Sequence, residues 1–156
     1  MSADELYREV ILDHHKNPRG REHLSACNAA SSGMNPSCGD EVSIRLDIDD
    51  GKVVGVEVDA KGCAISTASG SMLAERIQGL RLGDVQDLAA VVRDMLKTGN
   101  LKDGVDIGDF EALLGVSRFP VRVKCAMLPI ATMLQALETY SDKNEATTPV
   151  TTEEGP

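Results

Sequence analysis

The segment from Glu41 to Asp59 constrains this chain more than any other. Val42, Ile44, Leu46 and Ile48 alternate with Ser43, Arg45, Asp47 and Asp49. After Asp49-Asp50-Gly51, Val54, Val56 and Val58 alternate in the same way. Period-two alternation on both sides of an Asp-Gly turn is the pattern of an antiparallel hairpin with one buried face. A three-residue loop with Gly51 left-handed predicts that Val42 faces Val58, Ile44 faces Val56 and Leu46 faces Val54. A two-residue loop would set apolar against polar positions, so one-sided burial selects the longer loop. In that register Cys38 lies opposite Gly62, and Cys38 and Cys63 emerge at one end of the sheet.

Helical spacing dominates elsewhere. Residues 2–16 open on Ser2-x-x-Glu5, a capping box, and put Leu6, Tyr7, Val10, Ile11 and His14 on one face. Asn17-Pro18-Arg19-Gly20 ends that helix. Residues 21–37 are small and polar and read as a loop with a short edge strand. Ile65 to Gly79 is predicted helical, with Ser66 or Thr67 near its N-cap. Asp84–Lys97, with Leu88, Val92, Met95 and Leu96 inward, is a further helix that Gly99-Asn100 stops. Phe110–Leu114 is a short helix and Val121–Tyr140 a long one. Pro129 lies inside the last and deprives the Cys125 carbonyl of its helical donor. The fold class is therefore α+β: a small antiparallel sheet, hairpin plus edge strand, packed against several helices. Residues 1–140 form a single domain, and the Thr-, Glu- and Pro-rich stretch 141–156 is expected to be disordered.

Composition closes several functional classes. A formal charge of -9 argues against nucleic acid, which calls for a basic face. No apolar run approaches a membrane span. The charged opening (Asp4, Glu5, Arg8, Glu9) carries no export signal, so a cytoplasmic location is expected. In that compartment, thiols stay reduced and serve metals or chemistry rather than disulfides.

The chain has 4 cysteines. Cys38 sits in Asn35-Pro36-Ser37-Cys38-Gly39-Asp40 and Cys63 in Lys61-Gly62-Cys63-Ala64-Ile65-Ser66. Gly39 and Gly62 permit the backbone to turn both thiols inward, and Asp40 reaches the same point. Cys63 also precedes a helix N-terminus, where the dipole favours thiolate. Cys125 is distant, and spacing alone does not bring it to the others. If it joins them, three thiolates and one carboxylate make a set that suits zinc; the thiolates equally suit an iron–sulfur cluster. A hard carboxylate among thiolates suits an exchangeable site better than a purely structural one. Cys27, in Ser25-Ala26-Cys27-Asn28, lacks such framing and reads as packing, as does His14. His15 and His23 read as solvated.

Asn35-Pro36-x-Cys38-Gly39-Asp40, then Gly62-Cys63-Ala64-Ile65-Ser66, then Val123-Lys124-Cys125-Ala126, resembles the IscU/NifU-type scaffold family in its SufU branch. The opening Leu6-Tyr7-x-x-Val10-Ile11-Leu12-Asp13-His14 is similar to the family's first helix. The resemblance covers about residues 3–140. The long interval from Cys63 to Cys125, and Lys124 where IscU-type scaffolds carry a histidine ligand, place it nearer SufU. The resemblance implies zinc on Cys38, Asp40, Cys63 and Cys125. It implies sulfur taken onto Cys38 from a pyridoxal-phosphate cysteine desulfurase of the SufS type, by ligand exchange at zinc. It also implies downstream cluster-assembly proteins as partners, and a chain that activates the desulfurase rather than a stand-alone enzyme. The alternative it allows is a scaffold on which an iron–sulfur cluster is built and passed on.

Overall fold

A computed structural model describes residues 2–142 and 150–151. Strands β1 (Ala29–Asn35), β2 (Asp40–Asp49) and β3 (Lys52–Lys61) form an antiparallel meander. The sheet order is β3-β2-β1-β4, where β4 (Val150–Thr151) adds two residues parallel to β1. The sheet packs against helices α1 (Ala3–Lys16), α2 (Ala64–Ile77), α3 (Leu82–Thr98) and α4 (Pro120–Asp142), with a 3₁₀ segment at Gly108–Arg118. This is the α+β arrangement expected from the sequence. The 3₁₀ segment is longer than the expected short helix. The stretch 141–156 lies largely outside the described residues; only the end of α4 and β4 are placed within it.

β1 is a full strand, not a loop with a fragment of edge. Its inward positions are Ala29, Ser31, Gly33 and Asn35, so its alternation is one of burial and not of hydropathy. The physical reason is close packing. Helix α4 lies against β1, and small side chains let the helix approach.

The β2–β3 turn corrects the expected register. Asp49 pairs with Lys52, which leaves a two-residue loop of Asp50 and Gly51. Both have positive φ, 52° and 74°, the requirement of a type I′ turn. A register shift between Asp47 and Ile48 pairs those two residues with Gly55 and Val53. Val54 is the extra residue of this bulge. It is 45% exposed, while Val53 is buried. Beyond the bulge Leu46 faces Val56, Ile44 faces Val58 and Val42 faces Ala60. The bulge thus removes the polar–apolar conflict that had argued for the longer loop.

The helices bury the sheet's inner face. Ser2 Oγ accepts the Glu5 N–H at 3.2 Å and starts α1. Tyr7, Val10 and Ile11 pack against the core and His14 is fully buried, but Leu6, expected on that face, is exposed. α2 runs through the centre and is buried along nearly its whole length. Gly99, left-handed at φ 75°, ends α3. One cluster of buried apolar side chains extends from Ala29 to Leu137, with Phe110, Ile44, Leu46, Met72 and Met133 among its largest members. No described helix is long and apolar enough to cross a membrane.

Candidate metal centre

The corrected register changes what faces what at the end of the sheet. Glu41 pairs with Lys61, so Asp40, not Cys38, stands against Gly62. Cys38 sits in the β1–β2 turn, which its own N–H closes by donating to the Asn35 carbonyl at 3.2 Å. Gly39, at φ 70°, reverses the chain between Cys38 and Asp40.

Asp40 is buried, and its carboxylate has two engagements. Oδ1 accepts the Cys63 N–H at 2.8 Å, and Oδ2 lies 3.7 Å from Cys63 Sγ. Gly62 makes this possible. Its φ is 131°, and a side chain there would run into the Asp40 carboxylate and Cα. The carboxylate is therefore held by contacts within the chain itself.

Cys63 is itself the N-cap of α2, in place of the expected Ser66 or Thr67. Its Sγ accepts the Ser66 N–H at 3.4 Å, so the sulfur satisfies one of the free donors at the helix N-terminus. Cys125 comes from the first turns of α4 and is 2% exposed. Its Sγ lies 3.3 Å from Cys38 Sγ. The ligand atoms of Cys38, Asp40 and Cys125 all fall within 4.8 Å of one another, and Cys63 adjoins them through Asp40. The structure thus brings Cys38, Asp40 and Cys125 within ligating reach of one another and sets Cys63 beside Asp40, outside that mutual 4.8 Å group.

Their chemistry fits a cation. Burial, then hydrogen bonds with Asp40, Cys38 and Cys63, push the Cys125 thiol far above its ordinary range. Three thiols and a carboxylate crowded together cannot ionise jointly without a positive partner. A divalent ion reverses that logic and holds thiols deprotonated. Zinc accepts S₃O tetrahedral sets, and thiolates also hold iron–sulfur clusters.

One participant has no role in the sequence reading. Asn35 is fully buried on β1, and its Nδ2 donates toward Cys125 Sγ at 3.9 Å. Its side-chain oxygen has no partner among the described residues. The signal was the Asn-Pro that opens the first cysteine motif, but β1 itself was not legible as a strand.

A second group, His14, Glu75 and Asp109, also has its ligand atoms within 4.8 Å. His14 Nδ1 lies 2.7 Å from Ser71 Oγ and Nε2 lies 2.8 Å from Asp109 Oδ2. Glu75 is paired with Arg19 at 3.1 Å. These contacts fasten α1, α2 and the 3₁₀ segment together, so the group is a clamp within the fold. Cys27 stands apart from the centre, its thiol beside Arg45, whose guanidinium it helps to keep charged. His23 is solvated on one side and reaches Glu57 on the other.

Comparison with known proteins agrees with this fold. Residues 6–147 match the NifU-like N-terminal domain family. The chain is 39% identical over 127 residues to the zinc-dependent sulfurtransferase SufU of Bacillus subtilis, covering 81% of this chain and 86% of that protein. It is 32% identical over 136 residues to the iron–sulfur cluster assembly scaffold protein IscU of Thermotoga maritima, covering 87% and 95%. The crystal structure of FiSufU from Fervidobacterium islandicum superposes with a TM-score of 0.78 at 30% identity, covering 87% of this chain and 99% of that one. A NifU-like N-terminal structure from Brucella abortus has the same fold, with a TM-score of 0.81 at 22% identity over 92% of this chain and all of that one. With motifs, fold and clustered thiols in agreement, this chain belongs to the NifU-like N-terminal domain family, whose SufU and IscU members it resembles along most of its length.

Proposed function

We propose that this protein is a zinc-dependent sulfur acceptor in iron–sulfur cluster assembly. It takes persulfide sulfur from a SufS-type cysteine desulfurase onto Cys38, in the cytoplasm, and hands it to downstream cluster-assembly proteins. Cys38, Asp40, Cys63 and Cys125 would hold the zinc, which supplies thiols that are deprotonated yet shielded from oxidation.

The observation that carries the reading is the inequality of the thiols. Cys125, on α4, is buried, and Cys63, half-buried like Cys38, has its sulfur engaged in capping α2. Cys38 is half-buried in a short turn between two strands, so it is the thiol of the cluster best placed to meet a donor. The Cys38 thiolate attacks the outer sulfur of the desulfurase persulfide. A new S–S bond forms on Cys38 as the donor S–S bond breaks, and the desulfurase cysteine leaves as thiolate. The exchange needs no external oxidant.

The start of α4 supports a docking partner beside the centre. Phe119 and Val121 are 47% and 62% exposed, and the Arg122 guanidinium lies 4.9 Å from the Phe119 ring centroid. Exposed aromatic and arginine side chains are favoured anchors in interfaces.

The test is desulfurase turnover with and without the protein, with metal content measured in the same sample. The expected result is about one zinc per chain and stimulation that Cys38→Ala abolishes. Unchanged stimulation by folded Cys38→Ala refutes the acceptor role. A second reading, a cluster scaffold, is favoured by the same donor set and the IscU relative. Iron with a visible-absorbing cluster in place of zinc would select it.

A further inference from the structure

We propose that Asn35 is a positioning residue that restrains Cys125, so that sulfur placed on Cys38 is kept rather than lost to its neighbouring thiol. This rests on Cys38 being the acceptor, as argued above.

The danger is in the geometry. Cys125 Sγ lies 3.3 Å from Cys38 Sγ. Once Cys38 carries a persulfide, the Cys125 sulfur at that distance is an intramolecular nucleophile whenever it is deprotonated and released from the metal. Attack on the inner sulfur forms a Cys38–Cys125 disulfide and expels the outer sulfur as hydrosulfide. Atoms and electrons balance: the Cys38–Cys125 S–S bond forms as the persulfide S–S bond breaks, the Cys125 sulfur is oxidised, and the outer sulfur leaves reduced to the sulfide level. The result is a wasted sulfur and a blocked acceptor. Such exchange is fast whenever a good thiolate meets an accessible sulfur.

Asn35 is placed to oppose this in two ways. Its Nδ2–H points at Cys125 Sγ at 3.9 Å, and a hydrogen bond to a thiolate draws charge from the sulfur and lowers its nucleophilicity. Its backbone carbonyl accepts the Cys38 N–H at 3.2 Å. One residue therefore holds both the turn that carries Cys38 and the sulfur that threatens it. It also pairs across the sheet with Asp40. The third thiol is restrained independently, since Cys63 Sγ accepts the Ser66 N–H. Core filling does not explain Asn35. It is fully buried with its side-chain oxygen unpartnered among the described residues, and an unsatisfied buried amide oxygen destabilises a fold. Groups that hydrogen-bond to metal ligands orient and tune them.

The test uses the full-length zinc-loaded chain, with glutathione persulfide as donor so that no desulfurase is involved. Asn35→Ala removes the donor, and Asn35→Asp removes it at nearly constant size. Ser31→Ala, another buried polar side chain on β1, is the control. Peptide mass spectrometry without reductant locates the persulfide and any disulfide, and released hydrosulfide is measured alongside. Both Asn35 variants should give several-fold more Cys38–Cys125 disulfide and hydrosulfide than wild type or the control. Their zinc affinity should fall roughly tenfold, as for lost partners of metal ligands. In cobalt-substituted protein, the sulfur-to-metal charge-transfer band should move to longer wavelength, a signature that a merely structural residue would not produce. Wild-type levels of disulfide together with an unmoved band, in either folded variant, overturn the proposal. Persulfide located on a cysteine other than Cys38 in wild type instead overturns the acceptor reading, so the two failures are distinguishable.

Discussion

Substituting Gly62 by alanine tests whether the centre is preformed by contact between the two strand ends. An L-residue at the φ of 131° seen here is strained by about 1–3 kcal/mol. The new Cβ would also stand 2.8 Å from Asp40 Cα. A backbone atom cannot swing aside as a side chain does, so Asp40 and Cys63 must separate. That breaks the 2.8 Å bond from Cys63 N–H to the Asp40 carboxylate, and a hydrogen bond to a charged group is worth roughly 1.5–3 kcal/mol. The expected cost is therefore about 2.5–6 kcal/mol, a large share of the ~5–15 kcal/mol that holds a domain together. Gly39 provides the comparison. It too is left-handed, at φ 70°, but nothing lies within 4 Å of a Cβ built there. Gly39→Ala should cost only the conformational penalty, about 1–2 kcal/mol. Urea unfolding of the metal-free variants gives both numbers, provided the m-values agree. If Gly62→Ala falls within about 1 kcal/mol of Gly39→Ala, the contact with Asp40 does not organise the site.

Two further perturbations examine the frame around the centre. Glu57 is held below its ordinary value of 4.5, first by the Leu24 backbone N–H and then by His23 and Arg45, against the opposing effect of burial. Its contribution to stability is present above 4.5 and is lost as pH falls through the lower folded-state value. Glu57→Gln should flatten that part of the acid-unfolding profile, and an unchanged slope would show that the Leu24 and Arg45 contacts do not persist in solution. His14 is fully buried between Ser71 and Asp109; His14→Ala should cost about 2–4 kcal/mol by thermal unfolding, and a loss below about 1 kcal/mol would mean that the clamp is dispensable.

The features legible in the sequence were those encoded by local period and local punctuation. β2 and β3 alternate, so their existence and their shared inner face were plain. α3 carries its apolar stripe at helical spacing and stops at Gly99. Cys38 and Cys63 could be placed together because each is framed by glycine at an end of the same hairpin. The register was not legible, because a bulge at Val54 shifts pairing by one residue while leaving the outer alternation intact. β1 was missed as a full strand because its buried positions are Ala29, Ser31, Gly33 and Asn35, chosen for smallness under α4 and carrying little hydropathy signal.

The candidate centre divides along the same line. The sequence by itself determined which side chains can ligate, and the order of three motifs was enough to suggest the family. Only the tertiary structure decided that Cys125 comes within 3.3 Å of Cys38, since their separation of 87 residues is closed by the packing of α4 on β1. It also decided that Asp40, rather than Cys38, faces Gly62 and is anchored by the Cys63 N–H. Asn35 entered by that route alone. Period and spacing report what a residue's neighbours in the chain require of it, whereas a metal centre is built from side chains that only the closing of a core brings together.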